Sequence, residues 1–364
     1  MSGIERVCIS VNSVCNLKCK YCYFFLQPDH LPGPQELTEE EILVILRQCY
    51  QYSLRPEADK PIKINFVGSG EPLLAWKRIS IAIRRIREEH ADHRLRFYTV
   101  TNGLLLRPAI AADMKELGVS PSVSLDGPAS IHDLTRTGHN GQGSHAAVMR
   151  GIAVLRDAGI PVAINTTLTR DVIQNLEEYF DFVTAQGLDK IIFDRLVDVP
   201  EEQSVPTEQF YAALRRIVEI KELRKLDRLE IGNYEAYIRA LNGKPDRVCT
   251  MFGSTCGSGF HNIIYMQRDV YPCGRMFGQS KWVLGRFDEP LDTFPQRMAK
   301  ITGPEGCGSA AGASDHGKAG PDCLIERTTP DYDAGARNQF VNWVQLRIEK
   351  AAADCDPSKS PTTV

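Results

Sequence analysis

At 364 residues, with 43% hydrophobic and 24% charged residues, the chain is long enough to bury a sizeable core and has the composition of a packed globular protein. Its formal net charge of -3 and the lack of a basic block argue against nucleic acid as the main partner, and no apolar run approaches the roughly 18 residues of a membrane span. The first residues, Met-Ser-Gly-Ile-Glu-Arg-Val, form no signal peptide, so the 11 cysteines read as metal ligands and buried thiols of a cytoplasmic protein rather than as disulfides.

A short apolar strand, Val7 to Val11, leaves no room ahead of it for an N-terminal peptide-binding domain. It runs into Cys15-Asn-Leu-Lys-Cys19-Lys-Tyr-Cys22-Tyr23. Four thiolates would close a structural metal site; three leave a position open, and an open position is where metal chemistry happens. Soft thiolates select zinc, copper or iron–sulfur. Pro28 to Gln35 is turn-rich. Thr38-Glu-Glu-Glu41 is a capping box opening a helix with Ile42, Ile45 and Leu46 on its apolar face.

A second strand, Lys63 to Val67, ends in Gly68-Ser-Gly-Glu-Pro72, and a helix follows from Trp76 to His90. A third, Arg96 to Val100, ends in Thr101-Asn-Gly103, before a helix from Pro108 to Leu117 that stops at Gly118. A fourth, Val119 to Leu125, ends in Asp126-Gly-Pro128. The next helix, Ser144 to Ala158, has Ser144 as N-cap and Gly159 as stop. Strands over Val162 to Leu168 and Lys190 to Leu196 are followed by helices over Leu176 to Gln186 and Thr207 to Leu226. Six alternations of strand and helix mean βαβ units and a parallel sheet. The fold class is α/β, a partial (β/α)6 TIM-like barrel. In such folds ligands gather at the carboxyl ends of the strands, where every unusual motif lies.

The cysteine triplet, followed by an aromatic, resembles the signature of the radical S-adenosylmethionine (SAM) superfamily. Gly68-Ser-Gly-Glu-Pro72 resembles that superfamily's Gly-Gly-Glu-Pro motif, with Ser69 in place of a glycine. The run Ser124-Leu-Asp-Gly-Pro128, Ile131-His-Asp133, Arg136, Gly143-Ser144 is similar to the maturases that act on peptides. The resemblance implies a 4Fe–4S cluster on Cys15, Cys19 and Cys22, with its free iron chelating SAM. It implies SAM contacts from Tyr21, Ser69, Gly70, Glu71, Asn102, Ser124, Arg136 and Asn165. Glu71 and the turn carbonyls are expected at the SAM ammonium, and Ser124 and Arg136 at its carboxylate. A guanidinium pairs with a carboxylate in a fork, which suits Arg136. Cys8 and Cys49 are expected as core thiols, and His132 and Asp133 as a structural brace.

After Gly232 the alternation stops. Cys249-x6-Cys256-x16-Cys273 brackets two hairpin-like strands, His261 to Gln267 and Val270 to Pro272. This resembles the auxiliary-cluster domain, SPASM or its shorter twitch form, found behind peptide-modifying radical SAM barrels. One auxiliary 4Fe–4S cluster is expected on Cys249, Cys256, Cys273 and either Cys323 or Cys307, with Cys323 preferred; four ligands of this kind also suit zinc. The chain departs from the pattern in lacking the tight cysteine run of a full SPASM domain. It also has Arg268-Asp269 in the hairpin turn, where glycine is usual. Gly274 replaces the aspartate base of the sulfatase maturases, against formylglycine formation.

Gly303 to Gly320 reads as a loop, Arg337 to Ala353 as a last amphipathic helix, and Asp354 to Val364 as a frayed tail. The expected organisation is a barrel over 1–232, an iron–sulfur domain over 233–336, and a terminal helix and tail over 337–364. The resemblance implies a peptide or protein substrate that is crosslinked, oxidised or epimerised, and a reductant such as flavodoxin or ferredoxin. The rival readings are a radical SAM enzyme acting on a sugar or cofactor precursor, and a non-catalytic iron–sulfur or zinc protein.

Overall fold

Ten strands form one sheet in the order β10-β9-β8-β1-β2-β3-β4-β5-β6-β7. The computed structural model describes residues 3–26, 36–56, 60–196, 199–245, 249, 254–302, 323, 325 and 332–354. Cys307, the 303–320 loop, the 28–35 turn and the tail beyond 354 fall outside them. In chain order come β1 (Arg6–Ser10), α1 (Tyr23–Leu26), α2 (Glu39–Ser53), β2 (Ile62–Phe66), α3 (Trp76–Glu89), β3 (Leu95–Thr101), α4 (Pro108–Leu117) and β4 (Val119–Ser124). Next are α5 (Ala129–Thr135), α6 (His145–Asp157), β5 (Ala163–Leu168), α7 (Arg170–Gln174), α8 (Leu176–Ala185), β6 (Lys190–Arg195), α9 (Thr207–Leu223), β7 (Glu230–Ile231) and α10 (Gly232–Leu241). The last part holds β8 (Asn262–Met266), β9 (Asp269–Tyr271), β10 (Gly285–Arg286), α11 (Thr293–Thr302) and α12 (Ala334–Asp354).

From β1 to β7 each strand runs parallel to the next, the α/β partial-barrel arrangement that the alternation predicts. Ile64, Phe66, Phe97, Val123, Ile164, Ile191 and Phe193 point to the helix side of the sheet and are buried. Alternate residues face the inner side of the curved sheet, because side chains on a strand have a period of two.

Thr38 and Glu41 form the expected reciprocal capping box on α2. Ser144 stands at the N-cap position of α6 as expected, but its side chain makes no cap bond. The Ser144 hydroxyl bonds to His132 and to the Arg136 carbonyl, so Asp133 Oδ1 takes the free N–H groups of Ser144 and His145, both at 2.8 Å. The alternation also continues one step past the expected stop. β7 is two residues long, too short to show periodicity. The Asn233 amide, at the start of α10, takes Phe193 N–H and gives to Phe193 C=O, both at 2.8 Å, as a strand partner would.

The hairpin β8–β9 turns at Gln267, whose φ of 61° supplies the left-handed residue usually provided by glycine. Arg268, beside it, forms a bidentate pair with Glu41 at 2.6 and 3.0 Å. The hairpin continues the barrel sheet, with β8 parallel to β1 in the register Cys8↔Ile264. β1 is therefore hydrogen-bonded on both edges. α12 lies against α9 and α10, with the Phe340 ring tilted against Tyr211 at 5.5 Å and edge-on to Tyr237 at 5.2 Å.

Candidate functional site

The carboxyl end of β1 delivers the loop carrying Cys15, Cys19 and Cys22, all half-buried. Backbone bonds from Lys18 N–H to Thr137 C=O (2.8 Å) and from Lys20 N–H to Thr135 C=O (2.9 Å) tie this loop to the segment after α5. Leu17, 1% exposed, plugs it into the core. Burial pushes the Cys15 thiol up to about 12 and the Cys19 thiol up to about 11; the Arg136 charge pulls Cys19 the other way. Two N–H groups address Cys15 Sγ: Leu17 N–H at 3.5 Å and Asn102 Nδ2 at 3.7 Å. Donors aimed at a half-buried sulfur suit a metal-bound thiolate, whose proton the metal displaces. The donor set of three soft sulfurs therefore fits an iron–sulfur cluster. Among the described residues no group of three or more His, Cys, Asp or Glu side chains is arranged around a single ion.

The Gly68–Pro72 turn serves the protein first. A Cβ at Gly70 would lie 1.8 Å from Asn12 Oδ1 and 2.6 Å from the Val14 carbonyl oxygen, so only glycine lets the loops after β1 and β2 touch. Ser69 is buried, and its hydroxyl donates to the Asn12 carbonyl at 3.2 Å. Glu71, expected at the SAM ammonium, has its carboxylate occupied within the protein. It accepts from Thr101 Oγ1 (2.5 Å), Asn102 N–H (2.8 Å) and Leu73 N–H (3.0 Å). Burial raises its pKa. The Glu71 carbonyl accepts from Asn12 Nδ2 at 3.0 Å. Asn102 gives its amide to Asn16 Oδ1 at 2.7 Å as well as facing Cys15.

Asp126, which the sequence marks only as a turn residue, is the hub of the other side. It is 1% exposed. One carboxylate oxygen accepts from Tyr21 OH (2.5 Å) and Arg136 Nε (2.8 Å), and the other from Thr167 N–H (2.9 Å). His132, fully buried, accepts from Asp126 N–H through Nδ1 at 3.1 Å and meets Ser144 Oγ through Nε2 at 2.9 Å. Burial lowers its pKa to about 4, so the ring is neutral. Tyr21 and Arg136 thus meet through Asp126, beside Cys19. Ser124, half-buried at the end of β4, is the register partner of Asn165, the third residue of β5, and Asn165 Oδ1 accepts from Ser122 Oγ.

Cys273 lies one residue, Pro272, beyond β9 and opens a short 3-10 turn, Gly274–Met276. It is close enough to Cys256 for their charges to interact. Cys256 and Cys323 are buried and Cys249 is half-buried. An apolar cluster of Cys8, Phe24, Ile264, Met266, Tyr271, Met276 and Phe277, with Cys22, Tyr23 and Cys273 at its edge, joins the first cysteine loop to the hairpin. Arg275 lies over the Tyr23 ring at 4.5 Å. Sequence reasoning passed over Asn12, Asp126 and Arg275. A charged residue inside an apolar strand, Asp194 in Lys190–Arg195, was the one readable signal left unused.

The Radical SAM superfamily model matches residues 9–183. The chain is 35% identical over 175 residues to an AdoMet-dependent heme synthase of Nitratidesulfovibrio vulgaris, covering 47% of this chain and 42% of that protein. It is 22% identical over 289 residues to a cysteine-type anaerobic sulfatase-maturating enzyme of Clostridium perfringens, covering 76% of each. Its fold is similar to a solved structure described as native anSMEcpe with bound AdoMet and Cp18Cys peptide, with a TM-score of 0.73 at 17% identity over 96% of this chain and 99% of that one.

Proposed function

The chain carries a radical SAM domain over residues 9–183 and is a radical SAM enzyme, and from that premise we propose that it modifies a peptide or protein by crosslinking, oxidation or epimerisation. Its cofactors are SAM and a 4Fe–4S cluster. When bound, the cluster and SAM would supply reductive SAM cleavage and radical hydrogen-atom abstraction from the substrate. In this reading Cys15, Cys19 and Cys22 hold that cluster. Leu17 N–H and the Asn102 amide stabilise the Cys15 sulfur. Asp126 fixes Tyr21 and Arg136, and in this reading Arg136 is the residue that would pair with the SAM carboxylate. Glu71 acts by holding the Thr101–Asn102 turn through its carboxylate, and its backbone ties that turn to the loop after β1. Ser69 and Gly70 keep the 68–72 turn against the cysteine loop, while Ser124 and Asn165 border SAM from β4 and β5.

Cys249, Cys256, Cys273 and Cys323 are assigned to one auxiliary 4Fe–4S cluster, with Cys307 as the alternative fourth ligand. The observation that carries the peptide reading is the fusion of the auxiliary hairpin to the cysteine-loop strand through β1–β8 and a shared apolar cluster. Resemblance over three quarters of the chain to a maturating enzyme supports it. A small-molecule substrate is the second reading, favoured by the higher identity to a heme synthase within the matched half. A cytoplasmic setting and a flavodoxin or ferredoxin reductant complete the proposal.

Anaerobic reconstitution tests it. The wild type is expected to hold about eight irons, and the Cys15/Cys19/Cys22→Ala variant about four with no 5'-deoxyadenosine formed. Only about four irons in the wild type, all lost in the variant, would remove the auxiliary cluster. Mass spectrometry of candidate precursor peptides then reads the substrate. Loss of H2, or deuterium uptake from heavy water, is the peptide outcome. Unchanged peptides together with consumption of a metabolite from cell extract would sink it.

A further inference from the structure

We infer that Asp194 is a substrate contact, its Oδ1 accepting a hydrogen bond from a neutral donor, an amide N–H or a hydroxyl, of the molecule that enters the barrel. This rests on reading the inner side of the sheet as the reaction chamber. On β6, Ile191, Phe193 and Arg195 are buried on the helix side. Alternation therefore turns Ile192 and Asp194 inward, Asp194 near the carboxyl end where ligands gather. Asp194 Oδ1 is shut off from solvent and has no hydrogen-bond partner among the described residues.

A buried acceptor without a donor opposes folding. β2 repeats the deficit. Asn65, between the helix-side residues Ile64 and Phe66, is 3% exposed, and its Oδ1 is also unpartnered. Two inward-facing acceptors on two strands form a lining that an incoming donor completes.

The charges facing Asp194 narrow the ligand. They are Arg275 from the turn after Cys273, Arg136 and Asp126 from the β4–α6 segment, and Arg6 from the inner face of β1. Three of the four are cations, which disfavours an ammonium or guanidinium ligand. A peptide group, with N–H for Asp194 or Asn65 and C=O for an arginine, satisfies both kinds of wall. Burial outweighs the arginines and pushes the Asp194 carboxyl up to about 6.

The reconstituted Asp194→Leu variant tests this against the wild type by thermal melting and by titration with S-adenosylhomocysteine. An acid whose pKa is raised on folding destabilises most at high pH, and the penalty fades as pH falls through that pKa. The variant is expected to melt about 2–4 °C above the wild type at pH 7.5, with the gap shrinking towards pH 5, and to bind S-adenosylhomocysteine within about twofold of wild type. A variant that melts below the wild type at pH 7.5 would make Asp194 a structural acceptor and overturn the inference. A loss of about tenfold or more in S-adenosylhomocysteine affinity would assign the carboxylate to the cofactor and overturn it equally. Neither measurement needs a substrate or turnover, so failure here is distinct from failure of the peptide reading, which the iron counts and mass spectrometry report.

Discussion

Histidine 132 shows how a single residue is fixed by its hydrogen bonds rather than its chemistry. Its Nδ1 accepts and its Nε2 meets a hydroxyl that itself donates to the Arg136 carbonyl, so the ring is the neutral Nε2–H tautomer. With a pKa of about 4 in the fold, against 6.5 for a free ring, it contributes nothing to the pH dependence above 6.5. As pH falls from 6.5 to about 4 the unfolded chain takes up a proton that the folded chain refuses, and stability is lost. His132→Gln is expected to cost about 1–3 kcal/mol at pH 7 and to flatten the decline between those pH values, measured as melting temperature against pH. A decline as steep as in the wild type would show that His132 does not titrate there. Glu71 is the residue-scale counterpart: the motif marks it, but of its three protein donors only Leu73 N–H is local, while those on Thr101 and Asn102 are long-range contacts that no local pattern encodes. Asp126 was hidden for the same reason, since Asp-Gly reads locally as a turn.

The elements were legible wherever periodicity was long enough to see. Six strands and their main helices lie where alternating apolar residues put them, and the α2 capping box is visible as four letters. Short pieces were not. α5, α7 and β7 are seven, five and two residues long, and their stability comes from packing rather than pattern. The contact between the loops after β1 and β2 belongs to this scale. Gly70→Ala drives a methyl into Asn12 and the Val14 carbonyl, which must part the two loops. Its expected effect is loss of iron from the first site with the auxiliary irons retained, read as about half the iron of a two-cluster wild type. Full loading at both sites would mean that the loops separate without disturbing the cysteines.

Across the whole molecule, the sequence marked the two cysteine sets but not the way they are joined. Pairing of β8 with β1 spans more than two hundred residues, beyond the reach of any local signal. Because that pair completes the edge of β1 and the apolar cluster behind Cys22, a chain ended at residue 245 is expected to aggregate or to lose S-adenosylhomocysteine binding. A soluble fragment carrying a full first cluster would show that the barrel stands alone.

β1 leaves the ribosome well before β8 and, with both edges paired, is finished only when β8 arrives. Its β2 partner follows within about sixty residues of synthesis, but the β8 partner waits until most of the chain has emerged. Through that interval one edge of the strand that carries the cysteine loop lies open. Metal insertion is then timed by the order of synthesis: a cluster delivered before β8 docks meets a loop with only half its support, so maturation favours the completed, released chain.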